Sequence, residues 1–504
     1  MKLLSTNLLL LLFATSSWLT QAQETGSWKA RISVAPELRK SFNQGGRLLF
    51  HFSGHHQKED MLGAEFTVGY TAQNWDGTAS FTLEAADKGI MGSVILPASG
   101  KFYCQVVYKH IPDDAQENAP GNFYSNIDSI SASPGGTFNL TLSKVTAQAV
   151  IREQKFVRTI EIKSKLLSDF SGHPRYLKAS MLLPSSYYDH PGQSFPICYR
   201  APGLNGRYTF VNIKLEDKDF MDWWYSGKAP QVIYVFLDSR GPYGDTYQVD
   251  SENNGPCGKA LTEELIPAIE KMVHYNPATK MRYLTGLSTG GWVAVGLQVF
   301  YPDFFDGTWA YSPDPLDFEH YGLINIYQDE TIFYNRFGYL QPGVRTVYGE
   351  PTRSMKDWIP GENLVSRTGN YLVSGGQFGA YNAVFGPKGK DGLPSLMFDP
   401  FTGKIDHEIA RQWEKYDIRK LLEKNWPTLG PKLQGKIWIW TGDMDDLYSN
   451  VATRFLKLFL DKTENPKSDA TINFTPMAGH CEEFSDDDVI MMVGKKAAEK
   501  AKLR

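Results

Sequence analysis

The 504-residue chain has only four cysteines, Cys104, Cys198, Cys257 and Cys481, none of them in a C-x-x-C pair. That spacing argues against a cysteine-based zinc site, while an oxidising compartment would permit disulfides. Four cysteines allow three full pairings, which stay open here. Cys104 lies far from the other three, so a free thiol is expected there. Neither sign of charge dominates: 52 basic and 56 acidic residues leave a net charge of −4, with no broad cationic field for nucleic acid. Past the N-terminus there is no apolar run approaching the roughly 20 residues that a membrane-spanning helix needs. No repeat at a fixed period is present, which excludes a solenoid or propeller.

What is present begins with the first residues. Met1-Lys2-Leu3-Leu4 leads into the apolar run Leu8 to Ala14, and small residues follow up to Thr20-Gln21-Ala22-Gln23. A basic start, a short apolar core and a small-x-small exit predict a secretory signal peptide over 1–22, cut after Ala22. The core is about half as long as a spanning helix, and no cysteine at the exit offers a lipid anchor. A secreted or periplasmic protein with no stable membrane insertion is therefore expected. Aromatics make up 13% of the chain, with 12 Trp and 26 Tyr, which suits β packing or a surface that stacks on sugar or aryl groups.

Two domains are expected at this length. From Trp28 to about Leu142 short alternating runs such as Arg47-Leu48-Leu49-Phe50-His51-Phe52 and Lys101 to Tyr108 are separated by turns at Asp76-Gly77 and Pro134-Gly135-Gly136. This period-2 rhythm predicts an immunoglobulin-like β-sandwich over 27–150. From about 156 to 504 the rhythm changes. A hairpin (Thr159 to Leu167, Tyr176 to Leu183) precedes the apolar strands Phe195 to Arg200, Val232 to Leu237 and Arg282 to Thr285. These alternate with the helical runs Leu261 to Glu270 and Trp292 to Phe300. Alternating strands and helices predict an α/β domain, a mostly parallel sheet with helices on both faces. Between about 316 and 426 Gly, Pro, Asn and aromatic residues break the pattern, which reads as an inserted cap or lid. The rhythm resumes at Lys436 to Trp440 and Val451 to Leu460.

Gly286-Leu287-Ser288-Thr289-Gly290 is a G-x-S-x-G set between an apolar strand and an apolar helix. In that context the glycines let the chain turn sharply and expose the Ser288 hydroxyl above the sheet, where it can act as a nucleophile. Alone the pentapeptide is weak; the strand and helix around it carry the reading. A base and an acid should follow in the order Ser, Asp, His. Of the later histidines, His320 and His407 fall in or beside the insertion, whereas His480 follows a strand in Met477-Ala478-Gly479-His480. The acid lies in Asp443-Met444-Asp445-Asp446. Asp445 is the choice, Asp443 the reserve, and one of the three caps the helix starting near Ser449. Oxyanion donors are expected from the N–H of Thr289 and from the loop Ala201 to Gly206, with Leu204 as its donor; a plain turn is the other reading of that loop.

At these residues the chain resembles the putative-esterase (esterase-D-like) family of α/β-hydrolases, which includes feruloyl and acetyl-xylan esterases, enterochelin esterases and S-formylglutathione hydrolases. The matching pieces are Glu264 to Glu270, Leu284 to Trp292, Tyr301-Pro302-Asp303-Phe304-Phe305-Asp306, Gly442 to Asp445, and Gly479-His480. The resemblance implies Ser288 as nucleophile, Asp445 as acid, His480 as base and N–H donors at Leu204 and Thr289. It departs from the family in having Pro202-Gly203 where His-Gly is usual, and in the size of the insertion. The N-terminal β-domain is similar to the one that precedes the hydrolase in enterochelin esterases.

Other features allow two readings each. His51, His55 and His56 form a cluster more often solvated than metal-bound. Trp223-Trp224-Tyr225 suits a stacking surface or core packing. Asp314, Asp317 and Glu319 follow a strand end, where they would contact substrate or open the insertion. The expected function is an exported serine esterase that removes acetyl or feruloyl-type groups from carbohydrate, with a small-molecule or polysaccharide-linked ester as substrate. No cofactor or metal is expected. The alternatives are an esterase of a siderophore or other small ester, and a non-catalytic binding protein on a hydrolase scaffold.

Overall fold

In a computed structural model, residues 28–55, 64–94, 101–131, 136–152 and 154–502 are described; the expected signal peptide and His56 lie outside them. Two eight-stranded sheets organise these residues. The first is built from β1 (Lys29–Val34), β2 (Arg47–Ser53), β3 (Phe66–Thr71), β4 (Phe81–Glu84), β5 (Lys101–Lys109), β6 (Phe123–Ser125), β7 (Asp128–Ser131) and β8 (Thr137–Val145). Alternation drives it: Ala30, Ile32 and Val34 of β1 are buried, as are Leu140 and Leu142 of β8, and they join Trp28, Phe50 and Phe52 in one core. The ladder runs β3-β2-β5-β6-β8-β1-β4, with β7 also on β5 and a parallel pair at β1–β8. The immunoglobulin-like expectation is of two separate sheets. Here the nine-residue β5 pairs β7 with its first half and β6 with its second, which joins all eight strands into one continuous ladder.

The second sheet takes β9 (Val157–Ser164), β10 (Arg175–Leu182), β11 (Ile197–Ala201), β12 (Ile233–Leu237), β13 (Arg282–Leu287), β14 (Thr308–Tyr311), β15 (Ile437–Gly442) and β16 (Thr471–Thr475). Its order is β16-β15-β14-β13-β11-β12-β10-β9. The six strands from β11 to β16 are parallel, and the β9–β10 hairpin adds antiparallel to β12. Residues of one strand face two cores in turn. Ile233, Val235 and Leu237 join the core that holds α2 (Thr289–Phe300), while Tyr234 and Phe236 join the one that holds α1 (Lys218–Tyr225) and α7 (Asp486–Lys502). A strand buried on both faces reads as an unbroken apolar run, as Ile233 to Leu237 does. This is the α/β-hydrolase arrangement.

Residues 316–426 are less of a lid than expected. They carry α3 (Met355–Val365) and α4 (Gln377–Phe385), and their Phe318, Tyr321, Phe378, Phe385 and Trp413 belong to the same core as the sheet. The tail of the stretch is α5 (Ile418–Leu433), which crosses from the β14 side to β15. Parallel neighbours need such a crossover, so the insertion ends at about Asp417. Pro427 and Pro431 inside α5 disguise it as loop. Trp224 of α1 is buried and donates its indole N–H to the Leu183 carbonyl at 2.9 Å, so it packs the core and stacks on no ligand.

Among the described residues no strand of the first sheet enters the second. The first unit is nevertheless tied to residues 364–375. The Arg47 guanidinium donates to the Leu364 carbonyl at 2.9 and 2.6 Å, Lys109 Nζ to the carbonyls of Val365 and Ser374 at 2.9 and 3.2 Å, and Gln116 Nε2 to that of Gly375 at 2.6 Å. Arg47 and Lys109 are both buried.

Candidate active site

Three strand ends and one loop build the site at the carboxyl edge of the second sheet. β13 ends at Leu287, and Ser288 follows with φ 55° and ψ −124°, a backbone state costly for a side-chain-bearing residue and found where a nucleophile is presented. Its N–H donates to the Tyr311 carbonyl at 2.9 Å, which pins the turn to the end of β14. Gly290 has no room for a side chain: a Cβ there would stand 2.3 Å from the Ala201 carbonyl oxygen and 2.5 Å from that of Pro202. The G-x-S-x-G spacing thus lets α2 begin directly against the end of β11.

The loop after β15 carries three aspartates with separate fates. Asp445 is fully buried, and its Oδ2 lies 2.7 Å from His480 Nδ1. Its Oδ1 accepts the N–H groups of Leu447 and Ser449 at 2.9 and 3.2 Å, at the start of α6 (Ser449–Leu460). Asp443 pairs instead with Arg454, and no hydrogen bond of the Asp446 carboxylate reaches the histidine. The two loops are sewn together by Asp443 N–H to Thr475 O at 2.9 Å and Met444 N–H to Ala478 O at 3.0 Å. Burial alone would push the His480 pKa down. The hydrogen bond and charge of Asp445 outweigh it, with the adjoining Cys481 adding to them, and hold the imidazole well above its usual 6.5. Among the described residues His480 Nε2 is buried without a partner, and Ser288 Oγ is not hydrogen-bonded to it. Both residues lean on one segment: Ser288 through Tyr311, and the neighbouring Cys481 N–H through Ser312 Oγ at 3.0 Å.

Leu204 and Thr289 sit at the ends of β11 and β13, paired neighbours in the sheet. Neither backbone N–H donates within the described protein. The Leu204 loop is held from behind by Asp245, whose carboxylate accepts the Asn205 N–H at 2.9 Å and the Ser239 hydroxyl at 2.6 Å. Burial lifts the Asp245 pKa to about 7, against those hydrogen bonds. Thr289 Oγ1 donates to Asp314 at 2.8 Å, and Asp314 also accepts from the Tyr247 hydroxyl at 2.5 Å and from Gln377 Nε2 at 3.0 Å. Asp314 is therefore part of the site, whereas Asp317 and Glu319 pair with Arg419 at 2.8 Å each and fasten the insertion. Asp245 and Tyr247 carry no motif and escape a reading of the sequence.

Beside Asp314 and the Leu447–Ser449 turn lies an apolar cavity of about 60 Å³, walled by Tyr321, Trp358, Phe378 and Tyr381 of the insertion. His51 bonds Glu117 and Thr67, His320 bonds Asp317, and His407 lies on the Asp329 carbonyl. No group of three or more metal-ligating side chains occurs among the described residues. All four cysteines are free thiols.

Among solved structures the chain is similar to a ferulic acid esterase at 15% identity, covering 68% of this chain and 97% of that one with a TM-score of 0.43. An S-formylglutathione hydrolase from Agrobacterium tumefaciens aligns at 14% identity over 69% and 97% of the two chains, with a TM-score of 0.37. A ferulic acid esterase from Anaeromyces mucronatus aligns at 14% over 68% and 91%, with a TM-score of 0.33. No curated protein matches. The model of the family described as "Putative esterase" matches residues 172–488, which take in every strand of the second sheet from β10 to β16. The chain belongs to that family, and it is a carboxylic ester hydrolase.

Proposed function

We propose that the protein is an exported serine esterase that removes acetyl or feruloyl-type groups from carbohydrate. Ser288 Oγ attacks the ester carbonyl while His480 Nε2 takes its proton, and Asp445 holds the ring by Nδ1 and stabilises the imidazolium that forms. The N–H groups of Leu204 and Thr289 meet the oxygen as it becomes negative. The tetrahedral intermediate collapses to an acyl-Ser288 as His480 returns its proton to the departing sugar hydroxyl. A water, deprotonated by the same ring, then releases the acid. The observation that carries this reading is the 2.7 Å bond from a fully buried Asp445 to His480, at the same sheet edge as the strained Ser288. The acyl part is supported by the apolar cavity beside Asp314, which suits an aryl or short acyl group, and export by the leader-like N-terminus.

The test is hydrolysis of p-nitrophenyl acetate and of acetylated and feruloylated oligosaccharides. Ser288→Ala should lower kcat on all of them by about a thousandfold or more, with an unchanged thermal midpoint. Retention of a tenth of the activity would exclude Ser288. Cleavage of the aryl ester with no acylated sugar cleaved would exclude the carbohydrate substrate.

A further inference from the structure

A second, larger cavity of about 270 Å³ lies away from Ser288, between the two units, near the roughly 300 Å³ at which small-molecule sites begin. Its walls include Asp113 and Asp114 from the loop after β5, Arg175 to Lys178 at the start of β10, Arg207 beyond the Leu204 loop, and Asp238, Arg240 and Gln248 after β12. Charge on its walls is balanced. Arg175 faces Asp113 at 3.4 Å, Arg240 faces Asp114 at 3.5 Å, and Lys178 is taken by Glu161 at 2.8 Å. Arg207 stands 3.4 Å from Asp114 and 3.6 Å from Asp238 and makes no hydrogen bond to either. An anion finds these cations already matched, while Leu167, Leu177, Leu261 and Leu265 give the cavity an apolar side as well.

What the walls leave open is a mixed set of hydrogen-bonding groups. Gln248, only 5% exposed, donates through Nε2 to the Asp238 carbonyl at 3.2 Å, while its Oε1 is buried with no partner among the described residues. That oxygen calls for a donor. Arg207 is paired by charge with Asp114 and Asp238 but makes no hydrogen bond to either, so its N–H groups and their carboxylates can still donate to and accept from a hydroxyl. Tyr176, 52% exposed, supplies an aromatic face at the rim. A group that both donates and accepts at neighbouring atoms and presents C–H faces to a ring is a sugar residue with its hydroxyls. We propose that this cavity binds one neutral sugar residue of a carbohydrate, separate from the residue whose ester lies at Ser288. The inference rests on the carbohydrate reading for its biological sense, but unacylated sugar tests it without any catalysis.

The experiment is calorimetric titration of the full chain with xylotetraose, cellotetraose and maltotetraose, each up to about 10 mM. At least one should bind, and Ser288→Ala should bind it equally. Tyr176→Ala, at an exposed position where folding is not at stake, should weaken it about tenfold, as should Arg207→Met. No binding of any of the three overturns the proposal. So does binding that neither variant alters, or heat from sodium sulfate alone, which would mark an anion site. If a tetrasaccharide binds as described while acylated sugars are not cleaved, the substrate reading falls and this one stands.

Discussion

In the proposed mechanism the chemistry turns on His480, and the environment of that residue has a consequence for pH. Only the neutral ring can take the Ser288 proton, and Asp445 holds the imidazole protonated to unusually high pH. The activity should therefore rise with pH along a limb above the 6.5 of an ordinary histidine. Asp445→Asn removes the charge and, with the amide oxygen kept on the Leu447 and Ser449 N–H groups, turns an NH2 toward His480 Nδ1. It should shift that limb towards lower pH and cut kcat by about a thousandfold or more, while Asp443→Asn, which only frees Arg454, leaves both nearly unchanged. Profiles of kcat/KM for the three proteins check this. The stability side has the matching sign. A pKa raised by folding contributes stability that is fully present below the unfolded value and is lost as pH rises through the folded one. The candidate residues Ser288, Asp445 and His480 could be picked out from the sequence because each stands just past an apolar strand, in an order the fold constrains. Tyr247 carries no such signal, and Asp314 is one of three loop carboxylates with two readings until Tyr247, 67 residues away, folds across onto it.

At the scale of elements, the parallel strands were legible as apolar runs because burial on both faces removes the alternation that leaves strands ambiguous. Residues 316–426 were not, since short helices with prolines and glycines in them lack a helical stripe. Yet they place Trp358, Phe378 and Tyr381 around the cavity next to Asp314. Trp358→Ala enlarges that cavity without touching the nucleophile. It should change kcat/KM for feruloyl-type esters at least about tenfold, the scale of one lost apolar contact of 1–3 kcal/mol. Attack on p-nitrophenyl acetate should change less than threefold. Equal effects on both substrates would mean that the segment supports the fold and does not select the acyl group.

For the molecule as a whole, a boundary near residue 150 was legible from the change of rhythm. The attachment across it was not, because Arg47 and Lys109 sit on ordinary strands and find their acceptors more than 250 residues later in the chain. Arg47→Met should lower stability by about 2–3 kcal/mol, since it removes charged hydrogen bonds and leaves the Leu364 carbonyl buried without a donor. Chemical denaturation monitored by tryptophan fluorescence measures it. A value near zero would show that the two units are only loosely apposed.

The same grip sets a schedule for synthesis. The first sheet is complete once β8 ends at Val145, but the carbonyls that Arg47 and Lys109 hold belong to residues 364–374. At translation speeds of 5–20 residues per second, those roughly 220 residues arrive about 10–45 s later. Through that interval the amino-terminal unit waits as a finished body with two hydrated cations on its surface, and it loses their water only when the middle of the chain comes to rest on it. Docking is thus a late event that reports on the hydrolase unit having folded correctly around α3 and α4.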